Sequence, residues 1–391
     1  MINIHEAEKL ILDNCSAEKI ELLPLHKAGG YVLAEQIKAP IDSPPYDQSA
    51  MDGYAFSFDG WDGQSDLQVT GEVQAGEFLN QEIKSNEAVR IFTGAELPAG
   101  TDTVVIQELT TLNNMHVHIE DKMISKGKNV RLKASQTKKG NNVLSSNHFL
   151  SPASVSFLAS LGIDLVKVFS KPCISIIVTG KELIKPGQEV TKGKIYESNS
   201  YGLVAALEQL YISPVSVEVT DDDEMQIMNA VTRQLNSDII ILTGGVSVGD
   251  YDFVFSALEK CEVTKIFHKV KQKPGKPFYF GRHHNTLVFG LPGNPASALT
   301  CFYKYIVNAI GSFTKREYFK KTKLPLAEDY LKKPKLTYFL KGKSTAEAVS
   351  ILNNQESYMM NSFADADCII ELDEDKEQFH KGDIVPVLMI I

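Results

Sequence analysis

Residues 238–252 read DIIILTGGVSVGDYD. The apolar run 238–242 predicts a buried strand. The glycines after it let the backbone bend and approach a bound group closely, so that N–H groups can point at oxyanion oxygens. Two carboxylates, Asp250 and Asp252, follow within hydrogen-bonding reach. We interpret the segment as an anion-binding loop beside a divalent-cation site, although a tight strand-to-helix turn would explain the glycines equally well. The glycines are Gly244, Gly245 and Gly249.

Length and composition exclude several classes of protein. A chain of 391 residues is too long for one hydrophobic core and predicts several domains. A net charge of −9 argues against a nucleic-acid binder or a protein of anionic membranes. The polar first residues lack the pattern of a secretory signal, and five widely spaced cysteines form no C-x-x-C pair, so we expect a cytoplasmic protein with reduced thiols.

Hydrophobic periodicity changes along the chain. Residues 1–38 carry helical spacing, 40–131 carry short strands, and 150–164 have the start and stop signals of a helix, so a β module is inserted into a helical part. From residue 171, strands and helices alternate, which predicts a parallel sheet with helices on both faces. The tail from about 325 returns to short strands and predicts a small β domain.

Within the α/β part the predicted elements are short and regular. The strands are expected at 173–178, 215–219, 238–242, 263–270 and 286–289, and the helices at 199–211, 223–236, 251–260 and 295–310. Ligands of such folds bind beyond the carboxyl ends of the strands. Four polar loops are therefore expected to converge on one edge: 179–182, 220–223, 243–252 and 291–297.

These loops carry candidate ligands. Asn294 can cap a helix whose first residue is Pro295, leaving free N–H groups for an anion. Asp221 and Asp222 suit the start of a helix, but with the neighbouring carboxylates of 250–252 they also offer what Mg²⁺ needs beside substrate oxygens. Lys273 and Lys276 lie on a turn stiffened by two prolines and could stabilise an anion. Two further polar loops, 44–55 and 92–102, lie in the β module.

Five motifs, in this order, give the chain a resemblance to a known family. They are PPYDQSAMDGYA at 44–55, RIFTGAELPAGTD at 90–102, LTGGVSVGDYD at 242–252, KPGKPF at 273–278 and GLPGNPAS at 290–297. The chain resembles the MoeA family of molybdopterin molybdenumtransferases, which includes the gephyrin E-domain. The resemblance covers essentially the whole chain.

The resemblance implies a fold and a reaction. The fold would combine a MogA-like three-layer α/β domain with a parallel-rich sheet at 171–314, an inserted β domain at 41–133, a discontinuous helical dimerisation domain at 1–40 and 134–170, and a C-terminal small β-barrel-like domain at 315–391. The reaction would insert molybdate into the dithiolene of adenylyl-molybdopterin with release of AMP, assisted by Mg²⁺ or another divalent cation. The partners would be a second copy of the chain, which shares the active site, and transiently the molybdopterin adenylyltransferase.

The resemblance implies functional roles for Asp52, Thr93, Glu182, Asp221, Asp252, Pro292 and Pro295, and the polar loops supply the other candidates. The residues expected in catalysis are Asp52, Thr93, Glu182, Asp221 and Asp252, and those expected at the metal are Asp221, Asp250 and Asp252. The residues expected to bind substrate are Gly244, Gly245, Ser247, Gly249, Lys273, Lys276, Pro292, Asn294, Pro295 and Ser297.

Two positions depart from the family pattern. Ser135 and Gln136 stand where the family usually carries an acidic pair, and Lys181 stands where it usually carries an acid. An amide cannot neutralise a metal or act as a base at neutral pH. The alternatives are therefore a catalytically weakened or non-catalytic homologue that binds molybdopterin or acts as a scaffold, and an enzyme that prefers tungstate.

Overall fold

The structure is a computed structural model that describes residues 1–15, 18–245 and 253–391. In these residues the α-helices α1 to α8 span Ile4–Asp13, Pro152–Ser160, Asn199–Glu208, Glu224–Gln234, Phe253–Lys260, Pro295–Cys301, Val307–Thr314 and Asn361–Asp365. The strands β1 to β14 span Ile20–Pro24, Ile37–Lys38, Gln48–Ser49, Gly53–Phe56, Leu67–Val73, Glu87–Ile91, Thr103–Ile106, Thr110–Asn113, His116–Ile119, Val130–Arg131, Asn142–Leu144, Leu165–Phe169, Ile174–Thr179 and Leu183–Ile184. The strands β15 to β28 span Ile195–Tyr196, Ser216–Thr220, Ile239–Thr243, Thr264–His268, Gln272–Lys273, Tyr279–His283, Thr286–Leu291, Lys321–Pro325, Tyr330–Leu331, Thr337–Ser344, Val349–Ile351, Cys368–Leu372, Gln378–Phe379 and Ile384–Met389.

The chain forms two compact units. The first unit contains Met1–Leu22, Gly30–Val32 and Lys167–Ile391, and the second contains Leu23–Gly29 and Leu33–Val166. None of the helices in the described ranges is both long enough and apolar enough to cross a membrane.

The first unit is built on a six-stranded sheet in the order β16-β13-β17-β21-β20-β18. The first four strands are parallel, as predicted, and β17 pairs residue by residue with β13 and β21. Alternate residues of β17 enter different cores: Ile239 and Ile241 pack with α1, α3, α6 and α7, whereas Ile240 and Leu242 pack with α4 and α5. Helices therefore cover both faces of the sheet, which confirms the α/β prediction.

The far edge of this sheet differs from the prediction. The segment 263–270 was expected to be another parallel strand, but β18 pairs antiparallel with β20, and β20 pairs antiparallel with β21. Only His284 and Asn285 separate β20 from β21. Parallel neighbours need a crossover of a dozen or more residues, so a two-residue connection forces an antiparallel pair.

The first residues are only partly helical. The helix α1 begins after Asn3, whose side chain accepts a hydrogen bond from the Glu6 N–H at 2.8 Å, and its apolar face buries Ile4, Ala7 and Ile11 against the α/β core. Residues 20–24, which were expected to continue the helical pattern, form the strand β1.

A second sheet lies at the C-terminal end of the first unit. Its strand order is β19-β24-β26-β28-β22, with β25 paired to β24. Tyr338, Leu340, Ile370, Val385 and Val387 form its core. This arrangement confirms the small C-terminal β domain.

The second unit contains a six-stranded sheet in the order β7-β4-β6-β5-β9-β8. The predicted strands of the β module correspond to β5, β6, β7 and β9. The dipeptide Asp52-Gly53 is typical of a hairpin turn, so local pattern does not predict β4. Gly53 instead begins a central strand, where a Cβ atom would lie 1.8 Å from the Val105 carbonyl oxygen. The backbones of two paired strands approach so closely here that only glycine fits.

Candidate active site

A cavity of about 570 Å³ lies at the carboxyl edge of the parallel strands of the first unit. The loops after β13, β16, β17 and β21 contribute to its wall, as the sequence predicts. Its lining includes Thr179, Glu182, Glu197, Asn199, Asp222, Gly244, Gly245, Pro292, Gly293, Asn294, Pro295 and Tyr358. A larger groove of about 830 Å³ lies between α3 and the edge strand β16. We place the candidate site in the smaller cavity, because the buried polar atoms described next line it.

Thr179 is the last residue of β13, and its side chain is 3% exposed. Its Oγ1 atom is buried and has no hydrogen-bond partner among the described residues. A buried hydroxyl without a partner costs folding free energy. Such an atom in a cavity wall indicates a group that a bound ligand satisfies.

Asn199 begins α3, and two hydrogen bonds fix the orientation of its side-chain amide. Its Nδ2 group donates to Thr243 Oγ1 and to the Gly293 carbonyl oxygen, both at 2.8 Å. Because the Gly293 carbonyl can only accept, the amide orientation is fixed. The remaining Oδ1 atom is buried and has no partner among the described residues.

Asp222 supplies a third such oxygen. Its Oδ1 atom is buried without a partner in the described part of the chain, and the residue lines the cavity. Asp221 is exposed and is absent from that lining. The capping role expected of Asp221 and Asp222 belongs to Asp223, whose carboxylate accepts from the Gln226 N–H at 3.0 Å. The packing therefore turns Asp222, not Asp221, toward the cavity.

Gly244 and Gly245 form the corner of the cavity nearest these oxygens. Gly244 has a φ of 96°, and a Cβ atom there would lie 2.1 Å from the Thr179 carbonyl oxygen. Gly245 has a φ of 59°, and a Cβ atom there would lie 3.2 Å from Thr179 Oγ1 and 3.5 Å from Asp222 Oδ1. Both the backbone conformation and the space require glycine. This part of the wall is thus bare backbone.

The loop 291–297 closes another side of the cavity. Pro295 occupies the first position of α6, as predicted, and Asn294 stands at the N-cap position. The Asn294 side chain does not cap the helix; its Nδ2 group donates to Ser357 Oγ at 2.8 Å. The prediction that the Asn294 side chain caps α6 is therefore wrong, because this side chain forms a hydrogen bond with Ser357 of the C-terminal domain instead. Pro292 lines the cavity, whereas Ser297 is buried within α6.

The two lysines expected at the substrate are not in the lining of this cavity among the described residues. The Lys273 ammonium lies 5.1 Å from the centre of the Tyr338 ring, and Lys276 is exposed. Glu182 lines the cavity and is exposed. Four expected residues, Ser247, Gly249, Asp250 and Asp252, lie outside the described residues.

Asp52 and Thr93 are brought together in the second unit. One oxygen of the Asp52 carboxylate accepts from both the backbone N–H and the hydroxyl of Thr93, each at 2.8 Å. These bonds, with the nearby Arg90 charge, lower the pKa of Asp52 below its ordinary value of 3.8. The pair keeps a carboxylate ionised at physiological pH.

Sequence reasoning missed several residues of the cavity wall, among them Glu197, Asn199 and Tyr358. Glu197 is buried just before α3 and accepts hydrogen bonds from the N–H and the hydroxyl of Ser200 in the first turn of that helix. Asn199 follows it, and the polar run 197–200 before an apolar helix was a usable signal. Tyr358 comes from the C-terminal domain, and no local pattern indicates it.

The donor set fits a hard divalent cation. Thr179, Asn199 and Asp222 offer buried oxygen atoms, and Glu182 offers a carboxylate from the same wall. Mg²⁺ prefers oxygen ligands and is commonly held by one or two carboxylates together with substrate phosphates and water. Within the described ranges there is no group of three or more His, Cys, Asp or Glu side chains that could hold a metal.

Three sequence profiles match successive parts of the chain. The MoeA N-terminal region, described as domain I and II, matches residues 2–162. A probable molybdopterin binding domain matches residues 175–312, and the MoeA C-terminal region, described as domain IV, matches residues 323–390. The α/β fold and its cavity therefore define a multidomain protein built around a probable molybdopterin-binding domain.

Relatives and solved structures agree over the full length. A molybdopterin molybdenumtransferase of Haemophilus influenzae is 33% identical, covering 97% of this chain and 98% of its own length. One of Staphylococcus aureus is 31% identical, covering 99% and 95%. The crystal structure of a molybdopterin biosynthesis MoeA protein from Pyrococcus horikoshii has a TM-score of 0.81 at 29% identity and covers 100% of this chain and 99% of its own. The chain belongs to the MoeA family of molybdopterin molybdenumtransferases.

Proposed function

We propose that this protein inserts molybdate into the dithiolene of adenylyl-molybdopterin with release of AMP. The observation that carries the proposal is a set of three buried oxygens, on Thr179, Asn199 and Asp222, that have no partner among the described residues, with Gly244 and Gly245 beside Thr179 and Asp222. Unsatisfied buried oxygens are costly in a folded protein and are retained where a ligand completes them. Full-length relatives that are named molybdopterin molybdenumtransferases support the same reaction.

We assign two roles to the residues of the cavity, according to their chemistry. Thr179, Asn199 and Asp222, with Glu182, would hold Mg²⁺. When bound, the cation would neutralise charge that develops on the phosphoanhydride oxygens. We assign the phosphate groups to the corner at Gly244 and Gly245, because these two residues present backbone without a side chain and backbone donors can stabilise developing charge.

The remaining expected residues act from the loops and from the second unit. We keep Lys273 and Lys276 as cations that offset substrate charge near this edge, and Asp52 with Thr93 as functional residues of the inserted domain. Asp252 remains a proposed metal ligand, and we expect Asp252→Ala to abolish turnover while the assembly of the protein stays intact.

The test is single-turnover incubation of the protein with adenylyl-molybdopterin, Mg²⁺ and molybdate, with AMP release measured by chromatography. We expect stoichiometric AMP release that requires all three components. Tight binding of the pterin without AMP release would contradict the enzyme and favour the molybdopterin-binding scaffold. Replacing molybdate by tungstate in the same assay decides which oxyanion is preferred.

The scaffold alternative is not favoured. It was raised by Gln136 and Lys181, and neither lies in the cavity lining among the described residues. Lys181 is exposed, and Gln136 accepts a hydrogen bond from the Ser43 hydroxyl in the second unit. Neither Gln136 nor Lys181 contributes to the group of buried oxygens on Thr179, Asn199 and Asp222.

We further propose a homodimer whose active sites are shared between subunits, transient contact with the molybdopterin adenylyltransferase that supplies the substrate, and a cytoplasmic location. The resemblance of the motifs supports the first two, and the five free thiols agree with the third. Sedimentation of the protein alone and with the adenylyltransferase would test both associations. The division of residues 1–170 into a helical domain at 1–40 and 134–170 and an inserted domain at 41–133, like the other predicted boundaries, remains a prediction.

A further inference from the structure

The cavity wall contains an aromatic ring that belongs to the C-terminal domain. Tyr358 lies in the loop 352–360, between β25 and α8, and its side chain is 61% exposed although it lines the cavity. The surrounding lining consists mainly of small and polar residues. An exposed aromatic ring at the mouth of a polar cavity offers an apolar face without paying to order itself on binding.

The loop is attached to the α/β domain on one side of Tyr358. The Ser357 hydroxyl accepts a hydrogen bond from the Asn294 side-chain amide at 2.8 Å. The Ser357 carbonyl oxygen accepts another from the Ala296 N–H at 3.2 Å. Asn294 itself lines the cavity. These bonds place the residue next to Tyr358 against the start of α6.

A buried ammonium group attaches the loop on the other side. Lys341, in β24, is 5% exposed, and its Nζ group donates to the carbonyl oxygens of Asn354 at 2.7 Å, Met359 at 3.0 Å and Glu356 at 3.4 Å. Gln355 adds hydrogen bonds to the Lys341 backbone in both directions, each at 2.9 Å. Burial lowers the pKa of Lys341, with Glu356 acting in the opposite sense.

We propose that Tyr358 is a specificity-determining residue of the cavity that stacks on a planar heteroaromatic ring of the substrate, and that Lys341 is the positioning residue that holds its loop. The inference rests on the proposed function, whose substrate carries two such rings, the pterin and the adenine. Both neighbours of Tyr358 are anchored through their backbones, so the backbone that carries the ring is held beside the cavity before ligand arrives. Aromatic stacking on such rings tolerates different bases and depends on the ring face rather than on the hydroxyl.

The test compares ligands with and without a ring. Dissociation constants of AMP, a soluble pterin and ribose 5-phosphate are measured by calorimetry with the full-length protein and Mg²⁺. We expect Tyr358→Ala to weaken AMP or the pterin about tenfold, Tyr358→Phe to stay within about twofold, and ribose 5-phosphate to bind all variants equally. The ligand whose binding is weakened by Tyr358→Ala, either AMP or the pterin, contains the ring that stacks on Tyr358. Ile384→Ala, which truncates an apolar side chain with 62% exposure in the same domain, is the matched control.

Lys341 is tested by the same probes. Lys341→Met should weaken the same ring ligand and raise KM with little change in kcat, and Lys341→Arg should restore both, because a guanidinium can also donate to several carbonyl groups. If Lys341→Met lowers the melting temperature strongly, Ser357→Ala, which removes the bond to Asn294, replaces it and should weaken the same ligand partially.

Two results would overturn the inference without touching the proposed function. In the first, Tyr358→Ala binds AMP and the pterin like the unchanged protein, which still releases AMP. In the second, Tyr358→Ala weakens the binding of ribose 5-phosphate as much as the binding of AMP and the pterin, which would make Tyr358 a structural residue only. Failure of the unchanged protein to release AMP would instead contradict the proposed function.

Discussion

Gly244 packs so closely against Thr179 that a Cβ atom at residue 244 would lie 2.1 Å from the Thr179 carbonyl oxygen. Thr179 ends β13, and Gly244 follows β17, its parallel neighbour. The contact brings the glycine corner and the Thr179 hydroxyl, which has no partner in the described part of the chain, into one wall of the cavity. A side chain at residue 244 would separate them.

We expect Gly244→Ala to lower the free energy of unfolding by more than the cost of placing alanine at a positive φ alone. Alanine at a φ of 96° is strained, and its methyl group would force Thr179 aside, which adds about 1–3 kcal/mol. Gly187→Ala is the matched control, since Gly187 has a φ of 91° but nothing within 4 Å, so it should cost only about 1–2 kcal/mol. Urea denaturation followed by circular dichroism measures both. Equal losses would show that the Thr179 contact is unimportant.

The second prediction separates two adjacent carboxylates. Asp222→Asn should raise the Mg²⁺ concentration needed for half-maximal AMP release about tenfold or more, because Asp222 Oδ1 lies in the cavity without a partner among the described residues. Its melting temperature should stay the same or rise, since the change removes the charge of a carboxylate whose Oδ1 atom is buried without a partner among the described residues. Asp221→Asn, at an exposed neighbour, should change the Mg²⁺ requirement far less. A larger effect at Asp221 would restore the assignment made from the sequence.

The third prediction concerns the pKa of Asp52. Thr93→Val removes the hydroxyl donor but keeps the backbone donor, so the lowered pKa should move part of the way back toward 3.8. The contribution of Asp52 to stability is present above pH 3.8 and is lost as the pH falls through its lower folded pKa. Carbon-detected NMR titration of the carboxyl groups measures the change.

Asp62 provides the internal control for that titration. Its pKa is also lowered, by hydrogen bonds from Ser65 and Gln64, and it does not contact Thr93 in the described structure. Its titration should be identical in both proteins. An unchanged Asp52 in Thr93→Val would show that the hydroxyl bond does not hold the carboxylate.

The fourth prediction concerns a cluster that joins the N-terminal helix to the C-terminal sheet. Lys304, whose side chain is 13% exposed, lies 3.0 Å from Glu8 Oε1 in α1 and 2.8 Å from Glu371 Oε2 in β26. Burial alone would lower the pKa of Lys304, but the two carboxylates outweigh it and raise the pKa. The ion pairs therefore contribute stability below pH 10.5, and this contribution is lost as the pH rises through the raised pKa.

Lys304→Met should cost up to about 3 kcal/mol of unfolding free energy, because it leaves two partly buried carboxylates without their cation. Adding Glu8→Gln and Glu371→Gln should recover much of this loss. Lys343→Met is the control, since Lys343 is largely exposed and lies 3.7 Å from Asp367, where an ion pair is worth at most about 1 kcal/mol. A loss at Lys304 no greater than at Lys343 would contradict the cluster as a stabilising element. Thermal and urea denaturation measure all variants.

Much of the fold could be predicted from local pattern. The continuous apolar runs of β13, β17 and β21 predicted buried parallel strands, since both faces of such strands are covered. The alternation of cores along Ile239, Ile240, Ile241 and Leu242 follows from the two-residue period of a strand. The pattern did not predict β20, and with it the antiparallel pairing of β18, nor the strand β4, because strand direction depends on the connection and a glycine-led strand resembles a turn.

The sequence by itself determined which loops meet, because parallel strands bring their carboxyl ends to one edge, and it placed glycine at residues 244 and 245. Tertiary structure decided which side chains of those loops face the cavity. Spacing cannot distinguish Asp221 from Asp222, since the turn that orients them is set by Asp223 and the packing of α4. Asn199 is oriented by a hydrogen bond to Thr243, which lies 44 residues away in the sequence. The loop that carries Tyr358 is held by Lys341 in β24. Side-chain direction depends on contacts between distant segments, and those contacts exist only in the folded chain.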